Sequence, residues 1–189
     1  QELMIERTSR RGLIGNIYMG KVSRVLPGMQ AAFIDIGIAR TAFLHASDIA
    51  RPDAPASDTP AGEPGIRELL REGQLLPVQV MKDPIGTKGA RLTTRMTIPS
   101  RYLVRLPNGG KVGVSARIED EAERERLKAA METILPADSA SGYIVRTAAE
   151  GASLEALHAD MLFLDKLWAA INASAASAGS GQLIHEDLS

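Results

Sequence analysis

Apolar residues in the first half of the chain recur at every second position, in short runs broken by glycine. "IGNIYMGKVSRVL" from Ile14 alternates this way, and "QAAFIDIG" and "RTAFLHASDI" continue the pattern. Alternation sends successive side chains to opposite faces of a strand. These runs predict three strands, punctuated at Gly15 and Gly20, with the last two joined as a hairpin through "GIAR". Counting outward from a turn at residues 37–40 brings Phe33 opposite a position near 44, with Phe43 diagonal or adjacent to it. Further on, "IRELLREGQ" predicts one or two helical turns, "LLPVQVMKD" a strand, "PIGTKG" a turn and "ARLTTRM" another strand. Residues 51–65, "RPDAPASDTPAGEPG", carry four prolines and no periodicity, which predicts an exposed loop. Short strands, glycine turns and one small helix in this order predict a five-stranded OB-type barrel over 13–95.

The period then changes. "SRYLVRLPNGGKVGVSARI" predicts a strand, a turn at residues 107–110 and a further strand. "DEAERERLKAAMETIL" is amphipathic at helical spacing, with Ala122, Leu127, Ala130, Met131 and Ile134 inward. "SGYIVRTAAEG" predicts a strand ending at Arg146-Thr147. "SLEALHADMLFLDKLWAAI" predicts a long helix capped by Ser153, with Leu154, Leu157, Met161, Leu164, Trp168 and Ile171 on one face. "NASAASAGSG" predicts a flexible linker, and "QLIHEDLS" the start of a strand. The class is α+β: a partial strand at 1–12, the barrel at 13–95, a small α/β unit at 96–176, and a linker with a strand start at 177–189.

Composition narrows the picture without redrawing it. Apolar residues make up 44% and charged residues 24% of 189, which describes a water-soluble globular protein with no transmembrane helix. The first residues, Gln1 onward, contain no secretory leader, so the cytoplasm is the expected location. Cysteine is absent, which excludes disulfides, thiolate zinc sites and cysteine nucleophiles. The formal net charge is −1, yet from Lys82 to Arg117 eight basic residues face the single acid Asp83. Such a run reads equally as solvated strand faces or as a surface for a polyanion.

Two groups of residues carry candidate chemistry. Aromatic side chains are scarce, so Phe33 and Phe43 on consecutive strands of an OB-type barrel suggest a platform on which nucleobases stack. Lys82 and Lys88 flank the next turn, where their ammonium groups can neutralise a sugar-phosphate backbone. From pattern alone, one ring in the core and one on the surface by accident is nearly as good a reading. Arg146-Thr147 at a strand end offers a guanidinium fork and a hydroxyl for a terminal phosphate, although a lone Arg-Thr pair more often marks an ordinary surface arginine. The aspartates (Asp35, Asp48, Asp83, Asp120, Asp138, Asp160, Asp165 and Asp187) form no two-carboxylate motif. His45, His158 and His185 are too far apart in sequence for metal spacing.

"GNIYMGKVSRVLPGMQAAFIDIGIARTAFLHASDI", followed in order by "DPIGTKGARLTTRMTIPSRYLV", "RIEDEAERERL" and "IVRTAAEG", resembles the ribonuclease E/G family, on its G branch, over nearly the whole chain. The resemblance implies an S1 RNA-binding domain, a variety of OB barrel, inserted in a ribonuclease H-like subdomain and followed by a 5′-sensor unit. Residues 1–12 and 182–189 would be the cut edges of that subdomain. It further implies that Phe33, Phe43, Lys82 and Lys88 contact single-stranded RNA. Arg146 and Thr147, with main-chain groups around Ser100 and Val104, would hold a 5′-monophosphate. Ser100 stands where the E branch has glycine. The parent enzyme would be a magnesium-dependent endoribonuclease that matures ribosomal RNA ends, initiates messenger decay and acts as a homo-oligomer. Its metal-binding aspartates would lie beyond this chain, so no catalytic or metal-ligating residue is expected here, and the family's zinc-linking cysteines are missing. Two other readings remain open at this stage: a non-enzymatic S1 module of a translation or transcription factor, and a scaffold that docks a partner subunit.

Overall fold

The computed structural model describes residues 12–51 and 64–188. They divide into two compact units, one built from the described residues up to Thr94 together with Ser174–Leu188, the other from Arg95–Ala173. The strand expected over 1–12 and most of the proline-rich loop lie outside the described residues.

The first unit is a closed barrel of five strands: β1 (Ile17–Leu26), β2 (Ala31–Asp35), β3 (Ala42–His45), β4 (Leu75–Lys82) and β5 (Arg91–Thr93). Neighbouring pairs are antiparallel except β3 with β5, which run parallel. Closure depends on β1 serving two partners. Its residues 17–21 pair with β4 and its residues 21–26 with β2. Gly20 sits where the strand changes partner, and a Cβ there would lie 2.5 Å from Ile34 Cγ2, so the approach requires glycine. Val22, Ala32, Ile34, Leu44, Val78, Val80 and Leu92 fill the interior, and the single-turn helix α1 (Ile66–Leu69) adds Ile66 to the same core. This is the expected five-stranded OB-type architecture.

The "ARLTTRM" strand is shorter than expected, and the segment 172–181 is not a linker throughout. Helix continues to Ser177, because the alanines favour it and the strongest helix breakers, Gly179 and Gly181, come only after it. After them a short strand, Leu183–His185, pairs antiparallel with Ile17–Tyr18 of β1. Met19 N–H donates to Gln182 O at 2.9 Å, and Gly181 N–H to Met19 O at 2.8 Å. The C-terminal strand thus has a neighbour within the described residues, although the resemblance implies a cut edge there.

The second unit has a four-stranded sheet: β6 (Ile98–Pro99), β7 (Leu103–Leu106), β8 (Val112–Val114) and β9 (Gly142–Val145), so that the C-terminal strand becomes β10. The order is β6-β7-β9-β8, with β9 antiparallel to β7 and parallel to β8. The two strands flanking the 107–110 turn are therefore separated by β9. Helix α2 (Glu121–Ile134) buries Leu127, Ala130 and Met131, with Ile134 half-buried. Ala122 is exposed, contrary to the periodicity. Arg124 takes the inward place, donating to the carbonyls of Ser115 (2.7 Å), Ile118 (3.1 Å) and Val114 (3.4 Å). Helix α3 (Leu154–Ser177) buries Leu157, Met161, Leu164 and Ile171, with Trp168 half-buried. Leu154, in its first turn, lies outside the packed stripe. Ser153 Oγ accepts from Ala156 N–H at 3.1 Å, the expected cap. Arg105 on β7 and Tyr143 on β9 are cross-strand partners, and both meet the Asp165 carboxylate of α3. Burial pushes the Tyr143 hydroxyl above its ordinary pKa, so it stays a donor to Asp165 Oδ1 at 2.9 Å.

Candidate functional site

Phe33 and Phe43 are direct cross-strand partners. The register differs by one from the expected pairing of 33 with 44, because the connection is centred on Ile38. Asp35 Oδ1 accepts Gly37 N–H at 2.9 Å, and Gly37 adopts a left-handed φ of 84°. Because Ile34, Ala42 and Leu44 point into the core, both rings project from the barrel's outer face. Phe33 is 37% exposed and Phe43 is half-buried. No bulge is needed between β2 and β3 to align them.

The row continues beyond the rings. Phe43 pairs with Arg91 on β5, and Arg91 with Lys82 on β4. Phe43, Ile85, Lys82, Lys88, Arg91 and Asp83 line an open depression of about 160 Å³. Ile85 and Lys88 close the adjoining turn with reciprocal backbone bonds of 3.2 and 2.9 Å, and Arg40 reaches across to the Gly86 carbonyl. The acids here are already engaged: Asp83 Oδ1 accepts Leu13 N–H at 2.6 Å, and Asp48 Oδ2 pairs with Arg91 at 3.0 Å. Lys82 and Lys88 are exposed and form no ion pair among the described residues. An apolar shelf of two rings beside unbalanced ammonium groups suits a ligand with flat faces and a negative backbone.

The second candidate lies at the carboxyl end of β9. Arg146 and Thr147 leave this central strand between the ends of β7 and β8, both exposed. Arg146 N–H donates to Tyr102 O at 2.8 Å, and its guanidinium donates from Nη1 to the Ser100 carbonyl. Thr147 Oγ1 lies 3.1 Å from Ser115 Oγ. Ser115 was not singled out in the sequence; its place follows only from the parallel pairing of β8 with β9, which no local pattern reveals. The Ser100 hydroxyl donates to Asp160 Oδ2 at 2.5 Å, so this side chain is taken up by α3. Val104, half-buried, pairs with Ile144.

The basic run is divided between the two units. Lys82, Lys88 and Arg91 belong to the barrel. Arg95, Arg101, Arg105, Lys111 and Arg117 belong to the other unit, where Arg105 is tied to Asp165 and Arg101 lies 4.9 Å from the centre of the Tyr102 ring. Among the described residues no three of His, Asp and Glu gather as a metal-holding group. No described helix is long and apolar enough to cross a membrane.

The sequence profile of the ribonuclease E/G family matches residues 97–189. Ribonuclease G of Salmonella typhimurium and of Escherichia coli are each 55% identical to the chain over 175 residues, 89% of it. The chain belongs to the ribonuclease E/G family. Ribonuclease E of Escherichia coli is 42% identical over 188 residues, 98% of this chain but 17% of its own length. The chain spans about a third of the length of the ribonuclease G relatives, 35% in both cases.

Proposed function

We propose that this chain is the RNA-recognition part of an endoribonuclease of the ribonuclease G kind, with two separate tasks. The barrel holds single-stranded RNA: bases stack on Phe33 and Phe43, each contributing ~1–3 kcal/mol, while Lys82 and Lys88 neutralise backbone phosphates. Arg146 and Thr147, backed by Ser115 and by main chain near Ser100 and Val104, hold a 5′-monophosphate. The Arg146 nitrogens left over from the Ser100 carbonyl supply charge-assisted bonds to phosphate oxygens. A 5′-triphosphate adds charge and bulk beyond what one arginine and one hydroxyl accommodate. Hydrolysis, with the metal that supports it, belongs to residues of the parent enzyme outside those described here.

The observation that carries this reading is the direct outward pairing of Phe33 with Phe43 beside two unpaired lysines. Two solvent-facing rings stabilise a barrel poorly, whereas they match the demands of base stacking. The test is a fluorescence-anisotropy titration of the chain with 5′-monophosphorylated and 5′-hydroxyl single-stranded RNA of one sequence. Preference for the phosphorylated RNA, abolished by Arg146→Ala, is expected. Equal tight binding of both would favour a plain S1 module, and absence of binding would favour a scaffold.

A further inference from the structure

The outward row does not stop at Phe33. Across β1 its partner is Arg24, so five positions on five strands line up as Arg24, Phe33, Phe43, Arg91 and Lys82. At ~4.8 Å between strands the row spans roughly 19 Å. Its two ends do not meet, because β1 and β4 pair through residues 17–21 and 75–79, away from both Arg24 and Lys82.

Each end of the row is aligned by a register shift. On β1, Val22 pairs with Ile34 and Arg24 with Phe33, so Ser23 and Arg24 together oppose one residue. Without that shift Ser23 would face Phe33, and Arg24 would face buried Ala32 on the inside. The bulge is held by Ser23 Oγ donating to the Phe33 carbonyl at 3.1 Å. On β4 the ladder steps from Val80–Leu92 to Lys82–Arg91, which leaves Met81 over. Bulges re-aim side chains, and here both bring a cation into line with the rings.

Arg24 is exposed and has no hydrogen-bonded or ionic side-chain partner among the described residues. Lys21, the preceding outward cation, has Asp35 as its cross-strand partner, whereas Arg24 has only a ring. The nearby acid Glu72 places Oε1 3.4 Å from Val25 N–H and forms no ion pair with Arg24.

We infer that Arg24 is a backbone-phosphate contact at the β1 end of the barrel's RNA track, so the footprint crosses all five strands with cations at both ends. This rests on the barrel being the RNA-holding face. The rings take two bases, and the phosphates on either side fall to Arg24 at one end and to Lys82 and Lys88 at the other.

The test measures binding of 5′-hydroxyl single-stranded RNA to the 189-residue chain over a series of potassium chloride concentrations. Each neutralised phosphate of a single strand adds ~0.7 to the slope of log affinity against log salt. Arg24→Gln is expected to lower that slope by about 0.7 with the melting temperature unchanged, and Arg24→Lys to keep it. Phe33→Ala, the companion variant, is expected to weaken binding at unchanged slope. An Arg24→Gln protein with wild-type affinity and slope overturns the inference while leaving the barrel reading intact if Phe33→Ala still loses affinity. Lost affinity at unchanged slope with a lowered melting temperature overturns it too, by making Arg24 structural. Failure of the wild-type chain to bind RNA removes both readings.

Discussion

Asp160 and Ser100, sixty residues apart, are joined by a 2.5 Å hydrogen bond, and the same carboxylate oxygen accepts the N–H groups of Tyr102 and Leu103 at 3.0 Å each. One side chain of α3 therefore fixes the turn whose Ser100 carbonyl receives Arg146. Asp160→Asn removes the charge, so the turn loosens and Arg146 loses its fixed position. Preference for 5′-monophosphorylated over 5′-hydroxyl RNA should fall towards unity, with affinity for the hydroxyl RNA unchanged. Asp160→Ala should in addition destabilise the protein by about 1–3 kcal/mol in thermal denaturation. Full preference in Asp160→Asn would show that the turn does not position the arginine.

Phe33→Ala should weaken 5′-monophosphorylated and 5′-hydroxyl RNA by the same factor, because stacking does not read the terminus. A loss of ~1–3 kcal/mol corresponds to roughly 5- to 150-fold in dissociation constant. Phe33→Trp should retain most of the affinity. Anisotropy titrations with both RNAs measure this, and an effect confined to one of them would contradict the division of tasks.

Gly89 marks a close approach of backbones. A Cβ there would lie 1.9 Å from the Thr41 carbonyl oxygen, next to Lys88 and to the Phe43 N–H bond with Ala90 O. Gly89→Ala should lower stability by at least the ~1–3 kcal/mol typical of overpacking and disturb the Lys88 turn. Gly28→Ala is the control, since nothing lies within 4 Å of its Cβ position. Urea denaturation of the two variants should separate them clearly.

The Glu123 carboxylate lies well below its usual range, at about 2 against an ordinary 4.5. The Arg126 side chain is the first cause, followed by the N–H of Gly151. A lowered folded-state pKa means that this contribution is complete above about 4.5 and is lost as pH falls towards 2. Melting temperatures of wild type should therefore fall more steeply across that window than those of Glu123→Gln. Added salt should narrow the gap, because the pair is open to solvent. Parallel curves would exclude the contact as a source of acid sensitivity.

Much of the barrel is legible in the chain because it rests on local signals. Alternation in "QAAFIDIG" and glycine at the turns fix which side chains face inward, and the solvent-facing Phe33 obeys the same period as the buried Ile34. What the pattern misses is non-local. Nothing near Phe33 reveals that its connection to β3 is centred on a residue, Ile38, rather than between two, since an aspartate side chain at residue 35 makes the turn. The insertion of β9 between β7 and β8, and with it the meeting of Ser115 and Thr147, depends on a parallel pairing closed over some thirty residues. Arg124 breaks the amphipathic rule in α2 because its guanidinium binds three carbonyls, those of Val114, Ser115 and Ile118, at the end of β8 and in the loop after it. In 172–177 helical propensity overrides the reading of a serine-rich stretch as linker.

The pairing of Met19 with Gln182 separates the two halves of one ladder by about 160 residues of chain. During synthesis at 5–20 residues per second, β1 emerges roughly ten to thirty seconds before the segment that covers its free edge. A nascent barrel spends that interval with bare amide and carbonyl groups along Ile17–Met19, open to strand addition by a neighbouring chain. Without residues 181–185 the edge would stay bare, which makes that short segment a guard against strand addition as well as part of the ladder.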